Sequence, residues 1–135
     1  MNALKPIVVI ESDSNRTNLL VEAYSTLDFQ NDLLVFYDSS TAYEHLLKNA
    51  VIPFLVISDI PMPKISGLEL AEKLHTHPEF SAYFIPFVFL TGTDELPCTT
   101  NGSKSLHNHG YFEKKGNFEE LRKTLDIIIS YWNNR

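Results

Sequence analysis

Cysteine is nearly missing from this sequence: Cys98 stands alone among 135 residues. A single thiol closes no internal disulfide and builds neither a thiolate zinc cluster nor a C-x-x-C redox motif, which points to a reducing, cytoplasmic setting. Long apolar runs are missing too. The opening MNALKPIVVIESD carries one Lys and a run of only four apolar residues, too short for a signal-peptide core or a membrane span, so a soluble protein without membrane contact is expected. Positive charge is scarce, with 11 Lys and Arg against 17 Asp and Glu and a net charge of -6. Neutralising nucleic-acid phosphates takes a dense basic face, so direct nucleic-acid binding is not expected. No Gly-rich phosphate loop or dinucleotide fingerprint follows the first apolar run, and no linker, repeat or low-complexity tract divides the chain.

What is present is globular. Hydrophobic residues make up 44% and charged residues 21%, and a chain of this length forms one core that buries roughly two-thirds of its unfolded surface. One domain over residues 1–135 is expected. Apolar runs at Ile7 to Ile10, Leu33 to Tyr37, Phe54 to Ile57 and Phe87 to Leu90 read as strands buried on both faces, with a shorter fifth at Tyr111 to Glu113. Helical spacing lies between them. Leu19, Leu20, Ala23, Tyr24 and Leu27 follow a cap at Ser12 or Asp13, and a short helix follows a cap at Ser39 or Ser40. Leu68, Ala71 and Leu74 share one face of a third helix. In the last helix Asn117 caps with Glu120 three residues on, ahead of a stripe of Phe118, Leu121, Leu125, Ile128, Ile129 and Trp132. Alternation of strand and helix predicts an α/β fold, a doubly wound five-stranded parallel sheet with helices on both faces. Between Gly92 and Gly110, Pro97, Asn101 and Gly102 allow at most a short or frayed helix.

In such a sheet, function concentrates at the carboxyl ends of the strands. The first run ends in Glu11, Ser12 and Asp13, the third in Asp59, the fourth in Thr91 and the fifth in Lys114 and Lys115. Acids there can hold a divalent cation through oxygen ligands, which screens the charge of an incoming phosphoryl group. Asp59 can act as a carboxylate nucleophile and form an acyl phosphate, with Thr91 and Lys114 on the phosphoryl oxygens.

These stretches resemble the receiver domain of two-component response regulators, of flavodoxin-like fold, over nearly the full length. The resemblance is carried by IVVIESD, VISDIPMPKISGLEL, FVFLTGT and GYFEKKGNFEEL, and by the spacing D-x-x-M-P-x-x-x-G at Asp59, Met62, Pro63 and Gly67. It implies that Asp59 takes a phosphoryl group from the phosphohistidine of a sensor histidine kinase or phosphotransfer protein. It also implies that Thr91 and Lys114 grip that group, that Tyr111 is the aromatic that moves, and that the Pro61 carbonyl joins Glu11, Ser12, Asp13 and Asp59 around Mg²⁺. The ending IIISYWNN looks like the stand-alone regulators paired with bacteriophytochrome kinases. The implied output is a conformational change read by a partner protein. That partner is not named by the sequence, and a homodimer is left open. Two positions depart from the family pattern: Ser12 stands where a second acid is usual, and Lys115 where a Pro follows the switch lysine.

Other readings compete with this one. A pseudo-receiver, an interaction module that is not phosphorylated, draws support from Ser12 and Lys115. An aspartyl-nucleophile phosphohydrolase wants a second acid two residues after Asp59, where Pro61 stands, so the protein is not expected to be a metabolic enzyme. His75 with His77 and His107 with His109 suggest zinc, but helical neighbours two apart do not share a face and no cysteine completes a set. Surface histidines are expected there. Phe80, Tyr83, Phe84, Phe87 and Phe89 are assigned to core and loop packing.

Overall fold

The computed structural model describes residues 4–59, 65–91, 110–113 and 117–133. In chain order the elements are β1 (Ile7–Ile10), α1 (Ser14–Ser25), β2 (Leu33–Phe36), α2 (Ser39–Asn49), β3 (Leu55–Asp59), α3 (Gly67–Thr76), β4 (Phe87–Thr91), β5 (Gly110–Glu113) and α4 (Phe118–Asn133). The strands form one five-stranded sheet in the order β2-β1-β3-β4-β5, parallel at every pairing. The short helix expected before β5 falls on residues 92–109, outside the described residues.

Because successive strand residues face opposite ways, each strand feeds two cores. Val8, Ile10, Val56, Phe87 and Phe89 pack with Ala42 and Leu46 of α2 and Leu70, Ala71 and Leu74 of α3. Ile7, Val9, Leu55, Ile57, Val88 and Leu90 pack on the other side with Leu20 and Ala23 of α1 and Leu121, Leu125, Ile128 and Ile129 of α4. Both faces of the central strands are therefore covered, which is why their sequences run apolar without alternation.

Several local expectations need correction. Neither Ser39 nor Ser40 caps α2: Asp38 does, its carboxylate accepting the Thr41 N–H at 2.7 Å and the Thr41 hydroxyl at 3.0 Å. A carboxylate also complements the positive end of the helix dipole, which a hydroxyl does not. Strand β2 is half-buried along its length because it lies at the sheet edge, and Tyr37 falls outside it and is exposed. On α3, Leu70 is fully buried whereas Leu68 packs at the margin of the core.

His75 of α3 and His77, its C-cap, are partly buried and engaged rather than freely exposed as expected. His75 Nε2 lies 3.0 Å from the Ile85 carbonyl oxygen, and its ring meets Phe87 edge-on. His77 accepts the Glu79 N–H at 3.0 Å and packs beside Tyr43 and Phe80. Phe80, Phe87 and Phe89 are core residues, while Tyr83 and Phe84 are largely exposed. His107 and His109 lie outside the described residues.

Candidate functional site

Strand order reverses direction between β1 and β3, so their crossovers leave toward opposite faces of the sheet: β1 leads into α1 on one side, β3 into α3 on the other. A crevice opens at such a switch point beyond the carboxyl ends of the strands. Ile10 and Ser58 are register partners, and the next residue of each chain is an acid, Glu11 and Asp59. Both are buried, at 2% and 3% exposure. Leu90 pairs with Asp59, which puts Thr91 at the same end of the sheet, opposite Glu113 of β5. Tyr111 pairs with Phe89 one strand further out. Pro61, Met62, Pro63, Lys114 and Lys115 lie outside the described residues.

The end of β1 is held by charge and by the turn into α1. Glu11 Oε2 accepts the Asp13 N–H at 3.1 Å, and Arg16 Nε donates to Glu11 Oε1 at 3.3 Å. Asp13 is the N-cap of α1, accepting the Asn15 N–H at 2.9 Å, and both it and Ser12 are exposed. The buried Thr17 hydroxyl lies within hydrogen-bonding distance of the Glu11 and Asp13 carbonyls, at 3.2 and 3.0 Å, and ties the turn to the helix.

The end of β3 is held through its backbone. Ser58 Oγ donates to the Asp59 carbonyl at 2.6 Å. Gly67, the first residue of α3, packs so closely there that a Cβ would overlap the Asp59 carbonyl oxygen and sit 2.8 Å from Ser58 Oγ. The glycine of the D-x-x-M-P-x-x-x-G spacing is thus required by close approach. A capping box fixes where α3 starts: Ser66 Oγ accepts the Glu69 N–H at 3.1 Å, and Glu69 accepts the Ser66 N–H at 2.8 Å.

Arg16, Thr17 and Ser58 were not singled out from sequence. Each had a signal: Arg16 is a cation in the first turn of a helix, against the dipole. Thr17 sits three residues before Leu20 on the buried face, and Ser58 interrupts an apolar strand. Among the described residues no group of three or more His, Cys, Asp or Glu side chains is gathered as a metal site. Buried carboxylate oxygens at neighbouring strand ends nonetheless suit a hard divalent cation that completes its shell with carbonyls and water.

An all-parallel sheet of this order, with acids at its switch point and a glycine packed on the central one, defines a receiver-type doubly wound protein. The chain belongs to the response regulator receiver domain family, whose model matches residues 7–126. Response regulator Rcp1 of Synechocystis sp. is 27% identical over 136 residues, covering 97% of this chain and 90% of its own. The probable methanogenesis regulatory protein FilR2 of Methanothrix harundinacea is 26% identical over 130 residues, covering 93% and 82%. The crystal structure of the Mn²⁺-bound form of Rcp1 superposes with a TM-score of 0.75 at 26% identity, covering 96% of this chain and 94% of that one. The phosphorylated cyanobacterial phytochrome response regulator RcpA, at 24% identity and a TM-score of 0.73 over 96% and 94%, shares the fold. Among the described residues no helix is long and apolar enough to cross a membrane.

Proposed function

We propose that this chain is a single receiver domain, residues 1–135, that accepts a phosphoryl group on Asp59 and passes the signal to a partner protein. The observation that carries this reading is the buried Asp59 carboxylate at the end of the central strand, with its main chain clamped by Ser58 and Gly67. The donor is the phosphohistidine of a sensor histidine kinase or phosphotransfer protein. An Asp59 oxygen forms a bond to phosphorus while the nitrogen–phosphorus bond breaks, and the leaving imidazole nitrogen keeps that electron pair. Transfer of this kind asks for positioning and charge compensation more than covalent chemistry. Asp59, the Pro61 carbonyl and, through water, Glu11 would hold Mg²⁺, with Ser12 and Asp13 at the rim. When bound, the cation screens the phosphoryl oxygens.

Thr91 and Lys114 contact those oxygens, and Tyr111 follows Thr91 as the surface around β4 and β5 changes. A ligand biases such an equilibrium only through contacts that differ between the two states, and the Thr91 contact is one. The chain carries acceptor chemistry and no metabolic reaction, and it works in the cytoplasm.

The test is incubation with acetyl phosphate and Mg²⁺ followed by intact-mass measurement. One added phosphoryl group is expected in the wild type and none in Asp59→Asn. Ser12 in place of an acid, together with the Glu11–Arg16 pair, favours one second reading, an interaction module that is not phosphorylated. A wild-type chain that stays unlabelled at saturating metal would support it.

A further inference from the structure

Arg16 is placed where a helix least favours a cation. It is the third residue of α1, in a first turn that contains no acid, so the positive end of the dipole works against it. The guanidinium instead pairs with the acid at the end of β1, with Nε 3.3 Å from Glu11 Oε1 and a side chain only 17% exposed. Glu11 is itself buried, and its other oxygen accepts the Asp13 N–H. Both oxygens of the β1 carboxylate are therefore engaged by this chain's own donors. A second cation reaching the same carboxylate must share it with Arg16 or displace it, and two cations in a poorly hydrated site repel strongly.

We propose that Arg16 is the resident cation of this pocket, compensating Glu11 in the metal-free protein and competing with a divalent ion for it. Arg16 is thus a positioning residue that raises the metal concentration at which the pocket loads. This rests on the reading above that the strand-end acids hold a divalent metal. It also assigns Glu11 two states, one turned to Arg16 and one serving the metal, whose balance depends on metal concentration.

The experiment titrates the full chain with Mn²⁺ alone, reading free Mn²⁺ by electron paramagnetic resonance, in wild type, Arg16→Met, Arg16→Gln and Arg16→Lys. The two neutral variants are expected to bind about tenfold tighter or more, on the scale of changes to groups around a metal's ligands. Arg16→Lys, which keeps the charge, should stay within a fewfold of wild type. Adding Glu11→Gln to Arg16→Met should remove the gain. Unchanged or weaker binding in folded Arg16→Met and Arg16→Gln, with the wild type binding normally, would overturn the competition while leaving the metal site standing. No Mn²⁺ bound by any of the proteins would overturn the metal site itself and the competition with it. A merely structural role for Arg16 predicts loss of stability in the neutral variants and no tightening.

Discussion

Glu11 and Asp59 end neighbouring strands and are buried almost equally, and contacts are seen at the side chain of the first and at the main chain of the second. Glu11 is gripped at its carboxylate, by Arg16 on one oxygen and the Asp13 N–H on the other. Asp59 is gripped at its carbonyl, by the Ser58 hydroxyl and the close approach of Gly67. An acid fixed through its side chain is suited to shaping a field. A main chain fixed as that of Asp59 is sets where the strand-end acid stands.

The sharpest way to break this contrast is to loosen the clamp on β3. Gly67→Ala places a methyl group against the Asp59 carbonyl and Ser58 Oγ, and overpacking of this kind costs about 1–3 kcal/mol. A urea midpoint lowered accordingly, with slower acetyl phosphate labelling, is expected. Ordinary helix propensity predicts the opposite sign, a gain of up to about 1 kcal/mol. A stabilised Gly67→Ala would therefore show that the close approach does not constrain the site.

Charge at the end of β1 comes next in size. Ser12→Asp adds an acid at an exposed position beside Glu11, and calorimetric Mg²⁺ titration should show tightening by about tenfold. Asp13 is already committed to capping α1. Asn caps as well as Asp, so Asp13→Asn should change little. A large loss of affinity in Asp13→Asn with none gained in Ser12→Asp would move the metal's carboxylate from position 12 to 13.

The smallest effect belongs to a region outside the crevice. The Tyr24 phenol donates to the Asn31 carbonyl at 2.6 Å, and burial, with a smaller contribution from the negative charge of Asp32, raises its pKa. A folded-state value above the unfolded one near 10 means that the contribution is intact below that pH and is lost as pH rises through the raised value. Denaturation followed from neutral pH into the alkaline range should show a shallower decline for Tyr24→Phe than for wild type. Equal slopes would remove Tyr24 as the cause.

The fold was legible because buried parallel strands write themselves as continuous apolar runs, and the strand-end residues Glu11, Asp59 and Thr91 follow from where those runs stop. The family spacing pointed to Gly67, but not to its reason, since the contact with the Asp59 carbonyl joins two elements eight residues apart. Arg16 and Ser58 escaped for a similar cause: their roles depend on which way a side chain turns, and no periodicity encodes that. The cap of α2 was missed by one residue because Ser39 and Ser40 follow the stronger acceptor, Asp38.

The central claim is that of the two buried acids only Asp59 reacts. Treating the chain with acetyl phosphate and Mg²⁺, trapping the acyl phosphate with borohydride and mapping the peptides locates the reduced residue directly. The account predicts conversion at Asp59 alone, persisting at a lower rate in Glu11→Gln. Reduction at Glu11 or Asp13, or labelling that survives in Asp59→Asn, would contradict it.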